Sequence, residues 1–141
     1  MKHYKVVRIT ESGQKVSAWA NGSLLEKQYK ENAWTHADER FWQKGLGLFI
    51  FHDLEFARKY AKFYWDAELW EVETGEVKPF PKLLMSNFER LDQIDSFLSL
   101  SDSEIDKIIA NDNLFCYMRV NNQRDYSVVT DRIKLIRKLD F

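Results

Sequence analysis

The chain holds a single cysteine, Cys116, so it can form neither an intrachain disulfide nor a cysteine-built zinc site. Its flanks, Phe115 and Tyr117, read as a buried thiol rather than a reactive one. Two prolines, five glycines and no low-complexity tract argue against disorder. No apolar run reaches the ~18 residues of a membrane span, and the N-terminus has no apolar stretch behind its first lysine. Neither a membrane segment nor a signal peptide is therefore expected, and a cytoplasmic location follows. A formal charge of −1 gives no global attraction to nucleic acid or anionic lipid. The chain also lacks a Gly-x-Ser-x-Gly elbow, a His-Glu-x-x-His helix and a Walker loop, which removes the usual signs of nucleophilic, zinc-hydrolytic and nucleotide-cleaving chemistry.

Aromatic residues are abundant, at 15% of 141 positions. They concentrate in the stretch around which the chain is organised, Gly45 to Lys78. It reads as a strand (Gly47 to Phe51), a helix capped by Asp53 (Leu54 to Trp65) and a second strand (Ala67 to Thr74). On a helical wheel Glu55, Arg58, Lys59, Lys62 and Asp66 occupy about a quarter of the circle, leaving an apolar surface roughly twice the usual ~100° stripe. Such a helix needs cover on two sides. One cover is the sheet of its own flanking strands, and the other must come from elsewhere in the chain or from a partner. In the second strand Trp70 and Val72 face away from Glu71 and Glu73, so one sheet face is wet there. The predicted class is α+β, one domain over residues 1–141. Its mostly antiparallel sheet contains one central β-α-β unit (47–74), with a second helical region at 87–110.

Around this unit, Lys2 to Thr10 and Lys15 to Ala20 predict a hairpin across Glu11-Ser12-Gly13-Gln14, which Asn21-Gly22-Ser23 ends. Leu24 to Lys44 has no clear period and is expected to be a partly ordered loop folded over the core. Ser86 or Asn87 caps a helix carrying Phe88, Leu91, Ile94, Phe97 and Leu98. Ser101 and Glu104 form a capping box for a second helix, stopped at Asn111-Asp112-Asn113. Leu114 to Val120 and Tyr126 to Thr130 predict strands about a turn at Asn121 to Asp125, and 131–139 is read as a further strand. Charge is uneven, with seven acids against two bases in 86–113 and six bases against three acids in 119–141. Two solvated faces lying against each other would explain this.

Several groups invite a chemical reading. Gly45-Leu46-Gly47 has two glycines of a phosphate loop, but it precedes its strand and Ile50 stands where a third glycine belongs, so a tight turn is the better account. His36, Asp38 and Glu39 offer metal-type donors without a fourth ligand at matching spacing from His3 or His52. No metal site and no cofactor is expected, and no residue is assigned a catalytic role. Trp34, Arg40 and Trp42, aromatics with an interleaved arginine, either stack on a ligand or partner or supply the missing cover of the central helix. The candidate contacts are Arg8, Trp34, His36, Arg40 and Trp42.

Gly47-Leu48-Phe49-Ile50-Phe51, Asp53-Leu54-Glu55-Phe56-Ala57, Leu69-Trp70-Glu71-Val72-Glu73 and Asp131-Arg132-Ile133-Lys134-Leu135 together resemble small phage- and prophage-borne domains of no assigned function. The Gly-Leu-Phe strand, the alanine- and tyrosine-bearing helix and the Glu-Val strand also resemble the middle of ADP-ribosyltransferase-like domains. That second resemblance implies a basic residue on an early strand, for which Arg8 is the stand-in, and a late glutamate, which the last strands here lack. The reading carried forward is a non-enzymatic accessory or protein-interaction domain that takes a protein partner or self-associates. The alternatives are a nucleotide-binding domain using Arg8 with Trp34 or Trp42, and a weak nucleic-acid binder using Arg119, Arg124, Arg132, Lys134, Arg137 and Lys138.

Overall fold

The computed structural model describes residues 2–18, 26–85, 91–111, 117–119 and 126–141, without the side chains of residues 85, 91 and 117–119. Cys116, the cap at Ser86 or Asn87, Phe88, the break at Asn21-Gly22-Ser23, the turn at Asn121 to Asp125 and the Arg119 and Arg124 side chains lie outside that description. The chain is α+β. Its strands are β1 (His3–Ile9), β2 (Lys15–Ser17), β3 (Gln28–Tyr29), β4 (Trp34–His36), β5 (Leu48–Phe51), β6 (Ala67–Thr74), β7 (Val77–Pro79), β8 (Leu83–Met85), β9 (Tyr117–Arg119), β10 (Ser127–Thr130) and β11 (Arg132–Leu139). The helices are α1 (Glu39–Gln43), α2 (Leu54–Ala61), α3 (Leu91–Leu98) and α4 (Asp102–Ala110).

The main sheet runs β4-β11-β6-β1-β5-β10-β7, with β2 and β3 branching from β1, and its strand pairs are antiparallel. Strands β5 and β6 both run opposite to β1 and so run parallel to each other with β1 between them. The central unit is therefore a split β-α-β, a separation that periodicity in residues 47–74 does not reveal. Pro79 sits in β7, at one end of the sheet order, where a missing ladder donor is tolerated. In the pairing of β11 with β6, the register shifts between Leu135 and Arg137, leaving Ile136 as an extra residue.

Six strands, β1, β2, β3, β4, β11 and β6, fold into a nearly closed ring. The path β1-β2-β3 meets β4-β11-β6 where the Thr35 hydroxyl donates to the Gln28 carbonyl at 3.2 Å. Val7, Tyr29, Trp70, Val72, Ile133 and Leu135 pack inside it. On the other sheet face α2 lays Ala57 and Ala61 on Tyr4, Val6, Phe51 and Leu69. A third core joins Phe41, Leu46, Phe80, Ile94, Phe97 and Val129 under α3 and α4.

The predicted caps form: Asp53 accepts from the Phe56 amide at 2.7 Å, and Ser101 and Glu104 satisfy each other's backbone amides. Gly45-Leu46-Gly47 is a tight turn. Gly45 adopts φ 76°, its amide donates to Trp42 and the Leu46 amide to Phe41, the Schellman closure of α1. A side chain at Gly47 would strike the Thr130 carbonyl and the Trp42 ring, so close strand approach requires glycine there.

Three expectations need correction. Residues 26–43 are not simply a loop, because β3, β4 and α1 form in them. The central helix stops at Ala61 instead of Trp65; the amides of Phe63 and Tyr64 reach back only three residues, to Tyr60 and Ala61, tightening the end and throwing Trp65 off the wheel. The basic strand β11 faces β6 and not the acidic helices, with Lys134 on Glu73, Arg137 on Glu71 and Lys138 on Glu68.

Candidate functional site

Alternation along β1 sends Tyr4 and Val6 toward α2 and Lys5 and Val7 into the ring of strands. Arg8 falls near the end of this strand, beside the turn leading from α2 into β6. Its Nε donates to Asp66 Oδ1 at 2.9 Å and its Nη2 to Oδ2 at 3.2 Å, a bidentate pair. The guanidinium also lies 4.7 Å from the Tyr64 ring centre, and the Tyr64 and Tyr60 hydroxyls are 3.3 Å apart. Its hydrogen bonds to the Asp66 carboxylate hold Arg8 above its ordinary pKa. The Nε–Nη2 edge of the guanidinium is thus occupied.

Beyond this pair opens a cleft of ≈590 Å³, lined by Arg8, Glu11, Asp66, Glu68, Lys138 and Trp65, among others. Glu68 accepts from the Trp70 indole at 3.1 Å and meets Lys138 at 3.2 Å, so its charge is also matched. At the rim Trp65 is 92% exposed, and Phe63, two residues earlier, is 83% exposed. These are the two most exposed large apolar side chains among the described residues.

The five residues singled out in the sequence do not converge. Trp34 lies on β4 beneath two cations, Arg132 at 4.5 Å and Lys134 at 4.7 Å from its ring. His36 is exposed on the same strand, opposite Arg132 in register. Arg40 reaches from α1 to Asp95 on α3. Trp42 packs against the third core with Lys78 4.0 Å above its ring. Neither tryptophan belongs to the apolar cluster beneath α2; each covers a different part of the fold. The helix itself is shielded by Phe51 and by Tyr126, whose ring stacks on Phe56 at 4.4 Å.

Two features escaped the sequence reading. Lys5 is only 7% exposed; its Nζ donates to the Phe49 carbonyl at 2.8 Å and lies 5.2 Å from the Tyr29 ring. Burial pushes its ammonium down to about 7 and pushes the Tyr29 phenol up. Strand alternation beside Val7 was the available signal. A second cleft of ≈840 Å³ runs between the α1 turn, Pro79 to Leu83 and the start of α4, where the Ser101 and Glu104 box already occupies the helix terminus. Among the described residues no group of three His, Cys, Asp or Glu side chains is arranged to hold a metal, and no helix is long and apolar enough to cross a membrane.

Searches against protein-family models, curated proteins and solved structures returned no match. What the chain does is therefore argued from its own surface.

Proposed function

We propose that the chain is a non-enzymatic accessory or protein-interaction domain of phage or bacterial type, docking protein through the turn that carries Phe63 and Trp65. The observation behind this reading is the exposure of both rings, 83% and 92%, on a fold whose other tryptophans, among the described residues, are packed or overlaid by cations. Aromatic side chains contribute more than most to the buried centres of protein interfaces. Two of them on one turn, with Trp65 on the wall of a cleft, supply an anchor and a recess. Nucleotide recognition by Arg8 fits less well, because its Nε and Nη2 already face Asp66.

A photo-reactive phenylalanine analogue placed at position 65 tests the reading in the cells that naturally carry the chain. Irradiation is expected to give a discrete covalent adduct with a protein, absent when the analogue replaces exposed Lys59. Identical smears at both positions would overturn it. Tryptophan fluorescence that stays flat in a nicotinamide-dinucleotide titration is the matching expectation for the nucleotide alternative.

A further inference from the structure

We propose that His3 and His52 together form a two-histidine site for a divalent zinc-type ion whose remaining ligands are water. The site goes beyond the docking reading and does not rest on it. Strand pairing creates it, where spacing along the sequence does not.

Tyr4 lies opposite Phe51 across the antiparallel β1 and β5, so one step outward along the same register His3 comes opposite His52. The His52 amide still donates to the Tyr126 carbonyl at 3.0 Å, which keeps the chain in its ladder position one residue past the end of β5. Alternation then sets both imidazoles on one face. Tyr4 and Phe51 pack beneath α2, while Val7 and Ile50 face the other way, and His3 and His52 fall on that second side. Directly opposite residues of an antiparallel pair hold their Cβ atoms about 5 Å apart. Two imidazoles at that separation can close on a single ion at the usual metal–nitrogen distance of about 2 Å.

The two rings feel each other. Burial foremost, with positive charge that includes His52, lowers the His3 pKa and so favours the neutral imidazole, the form that ligates metal. Both residues are half-buried, and neither ring makes a hydrogen bond or ion pair with the protein among the described residues. Their nitrogens are therefore unclaimed, with an open side for entry. Lys5, two residues along the same face, turns its Nζ to the Phe49 carbonyl. Imidazole nitrogen suits zinc and its late first-row neighbours, whereas magnesium prefers oxygen. The site is a pair and not a triad, since among the described residues no third His, Cys, Asp or Glu joins it. Binding is accordingly weaker than at a closed structural zinc site.

Calorimetric titration of the untagged chain with zinc chloride, in a buffer that does not chelate, tests the proposal. A single ion per chain is expected, with no comparable heat from magnesium chloride. His3→Gln and His52→Gln should each weaken zinc binding by about tenfold or more. His36→Gln, on distant β4 opposite Arg132, should leave it unchanged. In the unaltered chain zinc should move the imidazole NMR signals of His3 and His52 together and spare those of His36, a readout that needs no variant to fold. Absence of both heat and signal movement up to millimolar zinc overturns the proposal. Binding that survives His52→Gln overturns it as well, because such a site would not use the pair.

Discussion

Two short segments, 34–42 and 62–65, carry the same ingredients, bulky rings beside a cation, and the fold treats them in opposite ways. In the first, Arg132 and Lys134 lie over Trp34 and Lys78 over Trp42, while Phe41 enters the core beneath α3 and α4. In the second, Lys62 caps its helix and Phe63 and Trp65 stand in water. Cations that cover a ring arrive from distant strands and not from the adjacent sequence. Residue content within a window therefore does not separate a plug from a protruding anchor; strand pairing does.

The contrast can be broken most forcefully at Phe41. Its truncation to alanine should cost about 3 kcal/mol, because the hole opens beneath two helices that cannot both collapse onto it. Urea denaturation reads this directly, and a loss below about 1 kcal/mol would mean that 34–42 is not an integral part of the core.

Next in size is the lysine that lies beside a ring inside the fold. Folding depresses the Lys5 pKa to about 7, whereas the unfolded chain keeps its ordinary high value. Above about pH 7 the unfolded state therefore binds more protons, and stability should rise by up to ~1.4 kcal/mol per pH unit until the unfolded lysine titrates. Below the folded value both states are charged and this contribution is absent. Denaturation at about pH 7 and pH 9 should show the rise in the natural chain and lose it in Lys5→Met. A slope unchanged by the substitution would show that the amine stays solvated.

The smallest effects sharpen the comparison most. Trp34→Ala should destabilise by about 1 kcal/mol through lost packing and two cation contacts. Trp65→Ala should stay within about 0.5 kcal/mol of the natural chain. Equal stability losses in the two variants would erase the distinction drawn between the segments.

Elements with a chemical start or stop were legible in the sequence. Asp53, the Ser101 and Glu104 box, the Gly13 turn with φ 84° and the alternation of β6 each act over a few residues, and each formed. Strand β11 was also read correctly over most of its length. What was hidden depends on distant partners. β4 is three residues long and exists because β11, about a hundred positions later, offers it a ladder. β3 is two residues long and buries Tyr29 against the inner side of the ring. The position of β1 between β5 and β6 has no local cause at all. The surface proposed for docking was missed for a different reason. A wheel drawn through Trp65 assumes that the helix continues, whereas three-residue closure after Ala61 ends it and turns residues counted as concealed toward water.

The spare residue in β11 has a consequence of its own. Upstream of it Leu135 lies opposite Val72, and downstream Arg137 lies opposite Glu71 and Leu139 opposite Leu69. Lys138 lies opposite Trp70, where it reaches Glu68; were every residue paired in turn, it would be aligned instead with Leu69, which is wholly buried, and Arg137 would lose its place opposite Glu71. Ile136 thus serves as a phase corrector that lets one strand carry two reading frames. The chain should lose that single link with little disturbance to the alignment on either side.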